Sequence, residues 1–108
     1  MLKNVFGEDN IIICDLEDIY ITSFKLYLPN DTFQRVSCDG TYDSIYPQID
    51  EILKDSNTIN QINHNKTVYL AIQERNETVT LDHSSYYLEE VCTIKSDMNI
   101  KIYLIHEK

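Results

Sequence analysis

The sequence predicts an α+β domain in which a mainly antiparallel sheet of about five or six strands carries one or two helices packed on one face. Three observations lead there. Several segments alternate apolar and polar residues, one repeats its apolar positions at three and four residue intervals, and no long crossover helix is apparent between successive strands. A length of 108 residues with 43% apolar content suits a single compact domain, residues 1–108, with one sizeable core.

Ile11-Ile12-Ile13-Cys14 is the longest apolar run and reads as a short first strand. From Asp18 to Leu28 the chain alternates, with Tyr20, Thr22, Phe24, Leu26 and Leu28 on one face, so a second strand is expected there. Pro29-Asn30-Asp31 signals a turn, after which Thr32 to Cys38 returns antiparallel. Between Tyr42 and Asp55 the period changes: Tyr42, Ile45, Tyr46, Ile49, Ile52 and Leu53 form the apolar stripe of an amphipathic helix. Thr41, Asp43 and Ser44 are candidate caps, and Pro47 fits only within the first turn.

Residues 56–66 are rich in asparagine and read as a loop or a frayed helical turn. Thr67 to Glu74 alternates again, burying Val68, Leu70 and Ile72, and Arg75-Asn76 sits where a hairpin would turn before Thr78 to Leu81 returns. Ser84 to Ile94 fits both periods. A short helix is favoured, because Ser84 or Ser85 can cap it and Glu89 and Glu90 are poor strand residues. Met98 to His106 is the last strand, and its apolar residues on both faces indicate a central position. The expected order is β-β-β-α-β-β-α-β.

Charge narrows the function. Eighteen carboxylates face nine Lys and Arg, a formal net charge of −9. Such a surface repels nucleic acid and anionic membranes and speeds encounters with basic proteins. Phosphate binding is opposed further by two glycines without a Gly-rich loop and two arginines, Arg35 and Arg75, in a negative field. No apolar run approaches the ~20 residues of a membrane span. The N-terminus lacks the pattern of a secretory signal, so a cytoplasmic location is expected.

No catalytic or cofactor motif emerges, and none is expected: no enzyme activity, no cofactor and no metal. Cys14, Cys38 and Cys92 are widely spaced reduced thiols, and with His64, His83 and His106 they form no paired ligand set for zinc. Asp15, Glu17 and Asp18 form an acidic turn that lacks the spacing and glycine of a calcium loop. Cys38 beside Asp39 is the thiol expected to be exposed, with a pKa raised by the neighbouring carboxylate.

These features point to a small acidic inhibitor or immunity-type protein, of the kind used in counter-defence, which docks on a basic partner and occludes it. The residues expected to carry the contact are Asp15, Glu17 and Asp18, the helical acids Asp43, Asp50, Glu51 and Asp55, and the tyrosines Tyr27, Tyr69 and Tyr103 as apolar anchors. Tyr27, Tyr69 and Tyr103 fall on the less apolar faces of their strands and would form a partly exposed patch. An open strand edge would also permit a homodimer. The alternative is a small-ligand binding protein with a pocket lined by Tyr and His, and a third class is an enzyme with an unrecognised Cys-His or carboxylate site.

Overall fold

The computed structural model describes residues 10–16, 18–27, 32–38, 40–55, 67–95 and 99–108, with backbone only at Asp18, Ile19 and Tyr27. The elements are β1 (Ile11–Asp15), α1 (Asp18–Tyr27), β2 (Thr32–Arg35), a 3-10 turn (Tyr42–Ser44), α2 (Tyr46–Lys54), β3 (Val68–Gln73), β4 (Tyr86–Ile94) and β5 (Ile100–Glu107). They build an α+β domain around one mixed five-stranded open sheet of order β2-β1-β3-β5-β4. The expectation of a mainly antiparallel sheet is corrected. β1 runs parallel to both β2 and β3, whereas the β3·β5 and β4·β5 pairs are antiparallel.

The parallel pairing explains the largest departure from the sequence reading. Asp18 to Tyr27 is an α-helix. Adjacent parallel strands cannot be joined by a hairpin, so the chain leaving β1 must cross over one face of the sheet before β2 begins. A helix there places Tyr20, Ile21 and Phe24 on the sheet at helical spacing and leaves Leu26 77% exposed, where the alternating pattern would have buried it. For the same reason Thr32 to Arg35 pairs parallel, Ile12 opposite Phe33, instead of returning antiparallel.

α2 lies on the opposite face, so the helices cover both faces of the sheet and not one. Ile11, Ile13, Val68, Leu70, Ile72, Tyr103 and Ile105 share a core with Ile45, Ile49 and Leu53 of the helical segment. Ile12, Cys14, Ala71, Ile100 and Ile102 share another with Phe24 of α1. Burial on both faces is what a parallel interior strand requires, and it accounts for the unbroken apolar run of β1. Each fully buried Ile contributes roughly 1.5–3 kcal/mol. Pro47 occupies the first turn of α2, where its missing amide hydrogen leaves no helical bond unmade.

The expected helix over Ser84–Ile94 is also corrected. Tyr86 and Leu88 alternate into the α2-side core, while Glu89 and Glu90 are exposed on the strand at the sheet edge, where charged side chains are tolerated. A bulge between Glu90 and Cys92 inserts Val91 and reverses the facing of the residues beyond it, so Cys92 and Ile94 pack on the α1 side. Thr78 to Leu81 does not return beside β3. β3 has β1 and β5 as neighbours, and the segment after it reaches the sheet through an isolated bridge, Asp82 to Tyr87. β5 is central, between β3 and β4, as its two apolar faces indicate. The expected turn at Pro29-Asn30-Asp31 and loop over 56–66 lie outside the described residues. No described helix is long and apolar enough to cross a membrane.

Candidate protein-binding surface

Of the residues expected to meet a partner, Asp50 and Glu51 lie on α2, Asp43 in the 3-10 turn before it and Asp55 at its C-terminal cap. Ile45, Ile49 and Leu53 anchor the inner side of the α2 segment in the core. Asp43, Glu51 and Asp55 are exposed, and Asp50 is half-buried. The helix is held on both flanks. On one side the Gln48 side-chain amide donates to the carbonyls of Ser37 (2.7 Å) and Ser44 (2.8 Å), and its oxygen accepts the Ser37 amide at 3.0 Å. On the other, the Thr80 amide donates to the Tyr46 hydroxyl at 2.9 Å and Ser85 donates to Asp50. His83 adds a ring contact there, between Tyr46 at 4.4 Å and Tyr86 at 4.5 Å.

These ties divide the acids. Asp50 turns toward the approach to β4, whereas Glu51 and Asp55 line an open groove of about 260 Å³ against edge strand β2, together with Gln34, Arg35, Gln48 and Ile52.

Asp15 is not on that surface. It ends β1, and its Oδ2 lies 3.7 Å from a terminal guanidinium nitrogen of Arg75. That separation makes an ion pair without a hydrogen bond. Asp15 Oδ2 and Arg75 Nε are both buried without a hydrogen-bond partner among the described residues. The sequence marks Arg75 as a turn residue and a poor phosphate ligand; its position just beyond β3, next to the end of β1 in the parallel sheet, makes it the partner of Asp15. Glu17 lies outside the described residues. Asp18 begins α1 and Tyr27 ends it, and their side chains are not described.

The tyrosine patch is not formed as expected. Tyr103 is 2% exposed within the core under α2. Tyr69 is half-buried on the α1 side of the sheet, so the two face opposite ways. Burial pushes the Tyr103 hydroxyl up to about 12. A different aromatic group is exposed instead. Tyr87, 43% exposed, stacks on His106 at 4.6 Å, and the His106 ring donates from Nε2 to the Glu89 carboxylate at 2.8 Å. Cross-strand register builds it, since Tyr87 faces His106 and Glu89 faces Leu104. The period-two pattern of Tyr86 and Leu88 was the signal for it. Tyr87 and His106 also line a cavity of about 380 Å³ with Leu53, Thr67, Val68, Leu104, Ile105 and Glu107.

The thiols are free. Burial raises the pKa of all three, that of Cys14 to about 11. Cys38 is half-buried and donates to the Thr41 carbonyl at 3.1 Å, which ties its thiol to the turn before α2. Among the described residues no group of three or more His, Cys, Asp or Glu could hold a metal ion. Comparison with protein-family models, with curated proteins and with solved structures finds no match to this chain.

Proposed function

We propose that this chain is a small acidic protein-binding module that docks on a basic partner and inhibits it by electrostatic and steric occlusion. The single observation that supports this is the placement of Glu51 on the exposed side of α2, with Asp50 beside it, Asp55 at its C-terminal cap and Asp43 in the preceding 3-10 turn, on a segment whose inner side is anchored in the core. Carboxylates held on a fixed scaffold present a constant field to an approaching cation-rich surface, which raises the rate of productive encounter more than it deepens the bound state.

The test is affinity capture from the native host at low and high salt, with the wild-type chain beside the Asp50→Lys/Glu51→Lys/Asp55→Lys variant. Basic proteins retained by the wild type, lost at high salt and lost by the variant support the reading. Partners that are acidic, or that the variant retains equally, overturn it.

A second reading is favoured by the open cavity lined by Tyr87 and His106, which brings a Tyr and a His side chain to one concave surface. Binding of a small metabolite there, seen as chemical-shift changes at Thr67, His106 and Glu107 without any protein partner, would support it over occlusion.

A further inference from the structure

We propose that the outer edge of β4 from Glu89 to Ile94 receives an extended, basic segment of a partner protein as an added antiparallel or parallel strand. This deepens the reading above and rests on its partner being basic.

β4 ends the strand order and has β5 as its only strand neighbour among the described residues. Its first residues are already covered on the outside: the Leu88 amide donates to the Leu81 carbonyl at 2.8 Å and the His83 amide to the Tyr86 carbonyl at 3.0 Å. Main-chain groups of an antiparallel strand alternate between its two sides, so Tyr86, Leu88 and then Glu90 direct theirs away from β5. Past the bulge the same alternation assigns that role to Thr93, opposite Lys101. The covering segment bridges β4 only at Tyr87 among the described residues. Glu89, Glu90 and Val91 are exposed, Val91 by 42%. Among the described residues the ladder thus begins on the outer side of β4 and stops where the carboxylates start.

Charge selects the occupant. An open edge pairs with any strand unless something discriminates, and acids on the edge discriminate by sign. A second copy of this chain would bring one net charge of −9 against another and two Glu89-Glu90 pairs into one ladder. A strand bearing Lys or Arg meets attraction instead, and its backbone completes the Glu90 and Thr93 groups while side chains seat beside Val91.

The experiment titrates the full isotope-labelled chain with a short synthetic peptide of alternating Lys and Val, and with the same peptide N-methylated at every second amide. Methylation keeps side chains and charge but removes the ladder donors. The expected result is slowed amide exchange at Glu90 and Thr93 with the first peptide, and binding of the second weaker by about tenfold or more, the scale of the two unmade backbone hydrogen bonds. Glu90→Pro, which removes an outward amide, lowers affinity for the first peptide to a similar degree. The peptide pair on the wild-type chain decides the question where that variant does not fold.

Equal binding of both peptides, or protection at Glu51 and Asp55 in place of Glu90 and Thr93, overturns the inference. So does protection of Glu90 and Thr93 in the free chain that rises with protein concentration, which marks a second copy as the occupant. Failure of the occlusion reading is separable, because Asp50→Lys/Glu51→Lys/Asp55→Lys abolishes capture of basic proteins in that reading and leaves peptide pairing at β4 intact.

Discussion

The Tyr42 hydroxyl donates a 2.8 Å hydrogen bond to the main-chain carbonyl of Gln73, 31 residues further along the chain. The same oxygen accepts the amide of Arg75 at 2.7 Å, and the Tyr42 amide donates to the Glu77 carboxylate at 2.7 Å. One buried side chain therefore ties the turn that launches α2 to the exit of β3. The ring fills the core, and the hydroxyl satisfies main-chain groups at a point where the sheet ladder ends.

Tyr42→Phe keeps the ring and removes that hydroxyl. The Arg75 amide loses its acceptor and the Gln73 carbonyl a donor, at a cost of about 1–3 kcal/mol. The urea midpoint falls while the slope of the transition stays unchanged.

Ile49 and Leu26 separate the inner side of α2 from the outer side of α1. Ile49 is fully buried, and Ile49→Ala is expected to destabilise by about 2–5 kcal/mol through lost burial and the cavity left behind. Leu26 is 77% exposed on a helix, so Leu26→Ala changes stability by no more than about 0.5 kcal/mol. Urea denaturation of both variants checks the pair, and a large loss at Leu26 would contradict the helical placement of Asp18–Tyr27.

Cys14 sets an alkaline limit. Burial raises its thiol from 9.0 to about 11, against the smaller opposing effects of Arg35 and Lys25. A folded-state pKa above the unfolded value leaves its contribution intact below the unfolded pKa and removes it as pH rises through the folded one. Stability is accordingly expected to decline between pH 9.0 and about 11, less steeply in Cys14→Ala than in the wild type. At neutral pH the native chain alkylates last at Cys14, as iodoacetamide labelling read by peptide mass spectrometry would show.

Asp82 carries the opposite sign. The hydrogen bond from Lys108 holds its carboxyl below the ordinary aspartate value, helped by the ammonium charge. A depressed folded-state pKa contributes above the unfolded pKa and is lost as pH falls through the folded value, which puts the effect on the acid side. Lys108→Ala moves the Asp82 titration upward, followed by the NMR shift of its carboxyl carbon. Both side chains lie at the surface, so the accompanying fall of the unfolding midpoint at neutral pH is small.

Legibility in the sequence tracked the strength of local pattern. Val68–Gln73 appears where alternation was clear, Ile100–Glu107 where apolar residues on both faces marked a central strand, and α2 where the apolar stripe was broad. The segment DIYITSFKLY misled because Tyr20 and Phe24 satisfy both period two and an i, i+4 spacing. Tyr86–Ile94 misled because Glu89 and Glu90 disfavour a strand interior and are harmless on an edge. The helical acids were legible from the polar side of the stripe. The pairing of Asp15 with Arg75 was not, because it depends on β1 and β3 lying side by side.

The amino-acid sequence by itself determined the α+β class, the acidic character, the amphipathic helix with Pro47 in its first turn and the strands of strongest alternation. These rest on local periodicity and on composition, which need no partner. Only the tertiary structure decided that β1 pairs parallel with both β2 and β3, that Asp18–Tyr27 coils into a helix, and that the two helices lie on opposite faces of the sheet. Strand direction and facing are properties of pairs of segments: a short apolar-rich stretch can bury its side chains in either period, and the neighbour it meets selects one.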